Sequence, residues 1–133
     1  MMQIKQSETI LYVKNQQIST EFYKHLLRKN PELNVPGMTE FNLSAHHKLG
    51  LMPLENIAVI LGNKTPHPSL AENIPRCELY FLVESIYEHF ENAMSCGAKL
   101  ISPMLDRNWG HKVCYFSDPD GHIIAFAEEI TKK

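Results

Sequence analysis

The sequence predicts an α+β fold made of two βαβββ modules, each a mostly antiparallel sheet with one helix on its back. Three observations predict it: an internal duplication, a strand followed by a helix at the start of each half, and a glycine-containing hairpin turn near the end. An offset of 70 places Val13 over Val83. The same offset places Glu8 over Glu78. The sheet faces that the helices leave open would together form a cleft.

The duplication also sets the predicted boundaries within a single domain of 133 residues. Module 1 covers about residues 7–53 and module 2 about residues 77–129. Residues 54–76 connect the two modules and are irregular and rich in proline. Their apolar run 57–61 fits either a short strand or a helical turn, and the pattern does not decide between them.

In module 1, residues 9–14 are β-branched and aromatic, which is typical of a strand. Asn15 can cap the helix that follows, and Pro31 cannot continue it. The buried stripe of that helix is predicted to be apolar: Ile18, Phe22 and Leu26, with Tyr23 and Leu27 beside them. Three further segments complete the module: a turn at 36–37 and apolar runs over 38–44 and 48–52.

Module 2 repeats this order. Ser85 and Glu88 have the spacing of a helix capping box, and Gly97 is typical of a helix end. Four apolar residues are expected on the buried side of this helix: Ile86, Phe90, Ala93 and Met94. Strands are expected over residues 78–83, 99–102, 113–117 and 122–128, with a loop over 106–111. Pro119 suits the second position of a type I turn, and Gly121 can take a positive φ, so residues 118–121 predict a tight hairpin.

The composition excludes several classes of function. A net charge of -2 provides no basic field for nucleic acid or for an anionic membrane surface. No apolar run approaches the roughly 18 residues of a membrane-spanning helix, and the start of the chain is polar. The three cysteines are odd in number and are not in metal-type spacing. We therefore expect reduced, mostly buried thiols and a cytoplasmic protein.

Several segments together carry a family resemblance: residues 11–15 with Ser19, Phe22 and Tyr23, then 78–83, 97–98, 109–110 and 115–121. With these residues the chain resembles the vicinal-oxygen-chelate superfamily, which includes glyoxalase I, bleomycin-resistance proteins, fosfomycin-modifying enzymes and extradiol dioxygenases. The resemblance covers nearly the whole chain. It implies a paired βαβββ fold and a homodimer whose clefts hold a small molecule.

The resemblance also implies four metal-ligand positions, usually His, Glu, His and Glu. In this sequence they fall on Glu8, Gly50, Glu78 and Ala125. Gly50 (or Leu51, if the register slips) and Ala125 have no metal-binding side chain. We therefore expect no required cofactor, with Glu8 and Glu78 as weak candidates for a loosely bound Mg²⁺ or Mn²⁺.

Strand alternation puts Glu8 and Glu78 on the sheet faces opposite the helices. Either they are hydrated strand-start residues without a role, or they line a cleft and, when charged, favour cationic or hydrogen-bond-donating ligands. If the two carboxylates are desolvated and close together, one of them can act as a general base without metal. Trp109 and His111 would add a stacking surface and a titratable imidazole. The predicted ligand-binding set is Glu8, Tyr12, Gly50, Glu78, Tyr80, Trp109, His111 and Ala125. Other polar residues are expected in solvated positions: Arg107, His46, His47, His67 and His122.

Three functions follow from these residues and the resemblance. The first is a metal-free binding protein of the bleomycin-resistance kind, which sequesters a small molecule in a dimer cleft. The alternative is a lyase, isomerase or dioxygenase of glyoxalase type with a divergent metal site or a carboxylate base. The third is a module that has lost its chemistry and serves as a subunit or regulatory partner. Fold alone does not choose among them.

Overall fold

A computed structural model describes residues 2–131 and confirms two βαβββ modules. The chain divides into two compact units, one up to Glu72 and one from Asn73. That division lies inside the predicted connection over residues 54–76. Among residues 2–131, no helix is both long and apolar enough to cross a membrane.

The first unit contains a four-stranded sheet in the order β1-β4-β3-β2, with β1 and β4 parallel and the other pairs antiparallel. Its main elements are β1 (Ser7–Val13), α1 (Gln16–Leu27), β2 (Leu33–Val35), β3 (Met38–Ser44), β4 (His47–Pro53) and α2 (Leu54–Leu61). Two short 3₁₀ helices follow at Gly62–Lys64 and Pro68–Ala71. The side chain of Asn15 accepts a hydrogen bond from the backbone of Ile18, which confirms the predicted cap. Helix α1 packs on the sheet over a buried apolar core: Leu11, Val13, Phe22, Tyr23, Leu26, Phe41, Leu49 and Leu51.

The second unit has the same topology, with strand order β5-β8-β7-β6 and β5 parallel to β8. Its elements are β5 (Glu78–Leu82), α3 (Ile86–Ser95), β6 (Lys99–Asp106), β7 (His111–Ser117) and β8 (Ile123–Glu129). The turn between β7 and β8 forms as predicted, because Gly121 has a φ of 89° and its backbone N–H donates to the carbonyl of Asp118 at 3.1 Å. Helix α3 covers one face of the sheet, with Phe90 and His89 against the rings of Phe116 and Phe126.

The strand registers confirm the internal duplication. Ile10 pairs with Gly50 between β1 and β4. Tyr80 pairs with Ala125 between β5 and β8. The offset of 70 between Ile10 and Tyr80 therefore makes Gly50, and not Leu51, the counterpart of Ala125.

Some predicted details of the helices are wrong. Ile18 and Met94 are exposed. The inner face of α1 includes Thr20 instead, because its hydroxyl hydrogen-bonds at 2.8 Å to that of buried Thr39 on β3. Ser85 makes no side-chain cap, and the first helical N–H of α3, that of Ile86, donates to the carboxylate of Glu128.

Outside the helices, three outcomes differ from expectation. Residues 57–61, whose pattern fitted either a strand or a helical turn, are helical and belong to α2. Strand β2 was not predicted, because its three residues are all exposed and show no alternation. Strand β6 continues to Asp106, four residues beyond the predicted end, with register shifts on both sides of Ser102.

The cysteines are free thiols, but only one is buried. Cys114 is fully buried on β7, as expected for an inert thiol, whereas Cys77 is exposed and Cys96 half-buried. The expectation of mostly buried thiols is therefore wrong. Desolvation raises the pKa of each thiol above its ordinary value, so none of the three is activated.

Candidate functional site

Each sheet has one face against its helix and one open face, and the predicted strand residues lie on the open faces. In β5, Leu79 is buried on the helix side while Glu78 and Tyr80 are exposed on the other side. In β1, Leu11 and Val13 are buried on the helix side, and the alternating positions include Glu8 and Tyr12. Tyr12 is half-buried opposite Met52 of β4.

On the open face of the first sheet, Gly50 makes room for the carboxyl group of Glu8. A Cβ at Gly50 would overlap Oε2 of Glu8 and lie 3.1 Å from Cγ1 of Ile10. Glu8 therefore extends over β4 at a position where any other residue would displace it. The glycine is required here by close approach and not by its backbone conformation.

The partner that Glu8 reaches is Glu40 on β3. Glu40 is the cross-strand neighbour of Gly50, and its carboxyl group lies close enough to that of Glu8 to affect its pKa. Oε2 of Glu8 is buried and has no hydrogen-bond partner among the described residues, which disfavours the ionised form. Burial raises the pKa of Glu8, the neighbouring carboxyl group of Glu40 raises it further, and Lys48 lowers it. Lys48 Nζ lies 3.6 Å from Oε1 of Glu40.

The sequence alone did not point to Glu40. Its role depends on which residue of β3 stands opposite Gly50, and this register is visible only in the sheet. The expectation that Glu8 and Glu78 line one cleft concerns residues of different units, and it stays a prediction.

On the open face of the second sheet, three predicted ligand-binding residues form one hydrogen-bonded group. Nε1 of Trp109 donates to the hydroxyl oxygen of Tyr80 at 2.9 Å. The same hydroxyl lies 2.6 Å from Nδ1 of His111. Trp109 is 53% exposed and Tyr80 39% exposed, so both rings offer a large surface to solvent. We call Tyr80, Trp109 and His111 the aromatic group.

Beside the aromatic group, Tyr115 packs over a buried apolar floor formed by Val113, Ala125 and Ala127. Burial raises the pKa of Tyr115; the negative charge of Glu78 and the neighbouring Tyr80 raise it further, and the positive charge of Arg107 lowers it. Glu78, Tyr80 and Arg107 thus surround one tyrosine. The sequence pattern did not indicate a role for Tyr115, although Tyr115 lies two residues after Val113 and on the same face of β7.

Arg107 is held in place and not solvated as expected. Its Nη2 donates to Oγ of Ser102 and to the carbonyls of Pro103 and Val113, at 3.0 to 3.1 Å. The guanidinium carbon lies 5.2 Å from the centre of the Tyr115 ring, within the range of a cation–π contact. A positive charge is therefore fixed at the side of the aromatic group.

Comparison with known proteins identifies the family. The glyoxalase-like domain family matches residues 6–131. The chain belongs to the glyoxalase-like domain family.

Solved structures share this fold. A glyoxalase-related enzyme from Fulvimarina pelagi has a TM-score of 0.78 at 20% identity, with 92% of this chain and 86% of that chain covered. A glyoxalase/bleomycin resistance protein/dioxygenase family enzyme from Burkholderia phytofirmans also has a TM-score of 0.78, at 12% identity and with 92% and 97% covered. A protein from Agrobacterium tumefaciens is 28% identical over 93% of this chain and 96% of that chain, with a TM-score of 0.75. No protein of curated function matches the sequence significantly.

The residues of this glyoxalase-like domain do not fit the metal that the resemblance implies. In the first unit, Gly50 offers no donor, and the carboxyl group of Glu8 already occupies the space above it. The ammonium of Lys48 beside Glu40 disfavours a second cation there. In the second unit, Ala125 is fully buried and has no donor atom. No chemical step through a family metal follows from these residues.

A different group of possible metal donors in the glyoxalase-like domain is Asp118, Asp120 and His122, whose ligand atoms lie within 4.8 Å of one another. Here Oδ1 of Asp118 accepts from the backbone N–H groups of Asp120 and His122, both at 2.9 Å. Its Oδ2 lies 2.8 Å from Nδ1 of His122, which is buried, contrary to the expected surface position. Both carboxylate oxygens thus stabilise the hairpin turn, and the arrangement is that of a structural motif.

We expect Glu8→Gln to stabilise the protein at pH 8 but not near pH 4. Because the pKa of Glu8 is raised in the folded state, its stabilising contribution is present below the unfolded value of 4.5 and is lost as the pH rises through the folded value. Glutamine keeps a donor toward Glu40 at every pH. Partial exposure limits the gain at pH 8 to about 0.5 kcal/mol.

Urea unfolding at the two pH values measures this difference. Glu91→Gln, at an exposed position on α3, is the control for loss of one surface charge. A gain for Glu8→Gln that is equal at both pH values would contradict the raised pKa of Glu8 in the folded state.

Proposed function

We propose that this glyoxalase-like domain binds a small organic molecule on the open face of its second sheet, without a family metal. The observation that supports this most directly is the aromatic group. Its two exposed rings offer apolar faces to a planar ligand, while the hydroxyl and imidazole fix polar directions. The missing donors at Gly50 and Ala125 support binding that does not depend on metal.

The charges beside the aromatic group favour a ligand with polar substituents. Glu78 is exposed on the same face and can accept hydrogen bonds from a cationic or donor-bearing ligand. Arg107 fixes a positive charge on the other side of Tyr115. We therefore propose a planar ligand with a hydrogen-bond donor directed toward Glu78.

Trp109 allows a direct test, because it is the single tryptophan of the chain. A screen of small aromatic compounds should yield ligands that both raise the midpoint of thermal unfolding and change the fluorescence of Trp109. Tyr80→Phe should weaken these ligands about fivefold to tenfold by removing one hydrogen bond, and EDTA should not change their affinity. Compounds that raise the midpoint without changing the fluorescence, and that bind Tyr80→Phe equally well, would place the site elsewhere.

A second candidate function is an enzyme of lyase, isomerase or dioxygenase type that uses a carboxylate base. The raised pKa of Glu8 favours it, since a carboxyl group with higher proton affinity is a better general base. This candidate predicts turnover that is lost in Glu8→Gln while binding at Trp109 is retained.

We also propose that the protein forms a homodimer and is cytoplasmic. Leu82 and Leu105 are exposed on the open face of the second sheet, where a second copy could cover them. The free thiols are compatible with a reducing compartment. Light scattering at micromolar concentration should give twice the chain mass, and Leu82→Asp should reduce it. A monomeric wild type would contradict the dimer.

A further inference from the structure

We propose that Tyr80 and His111 form a proton-transfer pair. Tyr80 takes a proton from a bound small molecule while its own proton passes to Nδ1 of His111. This inference rests on the proposed binding site and adds a chemical step to it.

The proposed direction of transfer agrees with the hydrogen-bonding capacity of each group. An indole N–H can only donate, so the oxygen of Tyr80 is the acceptor in its contact with Trp109. The single hydroxyl hydrogen of Tyr80 is then available for Nδ1 of His111 at 2.6 Å, the short end of the usual range. In this proposal Nδ1 of His111 is therefore the acceptor in the contact, and the imidazole hydrogen is on Nε2. The donation from Trp109 stabilises negative charge on the oxygen of Tyr80 when its proton leaves.

The sheet holds this pair from two separate strands. Tyr80 is on β5 opposite Ala125, and His111 is at the start of β7 opposite Glu129. The phenol ring therefore extends across the open face to reach the imidazole, and the small side chain of Ala125 leaves it space. Among the described residues, the other ionisable groups on this face and at its border include Glu78, Lys99, Arg107, Tyr115 and Glu129.

The proton balance of the step is complete without another reactant. One O–H or C–H bond of the ligand breaks, and its proton forms a new O–H bond on Tyr80. The former hydroxyl proton of Tyr80 forms an N–H bond on His111, which becomes an imidazolium. The hydrogen on Nε2 stays in place, and the proton on Nδ1 returns through the hydroxyl of Tyr80 when the product takes up a proton, which restores the starting tautomer. The substrate class is a small molecule with one weakly acidic O–H or C–H group that is set beside the ring of Trp109.

The pair can be tested without knowing the ligand, by using benzenesulfonyl fluoride as the probe. The oxygen of Tyr80 attacks sulfur, the S–F bond breaks, fluoride leaves, and the phenol proton goes to His111. Tyr87 is the internal control, because it is 64% exposed and therefore more accessible than Tyr80. Peptide mass spectrometry over time measures both rates. We expect Tyr80 to react about tenfold faster or more, since a positioned base assists proton removal.

Two variants separate proton transfer from mere accessibility. His111→Asn keeps an acceptor for the hydroxyl but cannot take up a proton, so the rate at Tyr80 should fall to that of Tyr87. Trp109→Phe should reduce the rate partially. Nitrogen-15 shifts of the imidazole should show hydrogen on Nε2 in the wild type.

A rate at Tyr80 that is no higher than at Tyr87, or that is unchanged in His111→Asn, would overturn the proposal. Hydrogen on Nδ1 would overturn it as well. Labelling needs no ligand, so its failure would leave the proposed binding function standing. Failure of the ligand screen, in turn, would not alter the labelling rates.

Discussion

Asp118→Ala should destabilise the second unit by about 3 kcal/mol, the largest effect that we expect from a side-chain truncation in this protein. The carboxylate of Asp118 is fully buried and accepts hydrogen bonds from two backbone N–H groups and from Nδ1 of His122. Alanine leaves all three donors without this acceptor in a site closed to water. Hydrogen bonds to a charged, buried group are the ones whose loss costs most.

Asp118→Asn is the matched control for this variant. An amide oxygen can still accept from the backbone of Asp120 and His122, but the negative charge facing the imidazole is gone. We expect a loss of about half that of alanine. Urea unfolding followed by the fluorescence of Trp109, which lies in the second unit, is the measurement. Equal stability of Asp118→Ala and wild type would show that the hairpin does not depend on this carboxylate.

Gly121→Ala should have an effect of similar size, about 3 kcal/mol, for a different reason. Gly121 has a φ of 89°, which strains any residue that has a Cβ. A Cβ there would also lie 2.8 Å from Cα of Asn73 and 3.0 Å from its carbonyl carbon. Both atoms belong to the backbone, so they cannot move aside as a flexible side chain would.

Gly97→Ala separates these two causes. Gly97 has a similar φ of 85°, but a Cβ there would meet no atom within 4 Å. Gly97→Ala should therefore lower the free energy of unfolding only by the cost of backbone strain, about 1 kcal/mol. The difference between the two variants measures the contact with Asn73. Equal losses in the two variants would show that this contact costs nothing.

Asp118→Ala and Gly121→Ala both act on the turn that joins β7 to β8. Those strands carry His111, Tyr115 and Ala125, so the turn also sets the positions of residues in the proposed binding surface. A destabilised turn should accordingly weaken the binding of ligands that are detected by the fluorescence of Trp109. Gly97→Ala, at the end of α3, should leave their affinity unchanged.

The sequence alone determined the two modules, the offset of 70 residues and the hairpin turn. These features depend on local requirements. Examples are alternating apolar residues for a strand, a capping side chain at Asn15 and a positive φ at Gly121. It also identified Tyr80, Trp109 and His111 as binding candidates. Local patterns misplaced Ile18 and the cap of α3, and they do not reveal the tertiary contacts of Thr20 with Thr39 and of Ile86 with Glu128.

Only the tertiary structure decided which of these side chains meet. Glu40 lies near Glu8 because the strand register puts it opposite Gly50. The presence of a glycine in the sequence does not predict which side chain packs against it, here that of Glu8. Tyr80 and His111 are 31 residues apart in the chain, yet their side chains share a hydrogen bond across the sheet. The physical reason is that local chemistry selects helices, strands and turns, whereas the neighbours of a side chain depend on strand pairings between distant segments.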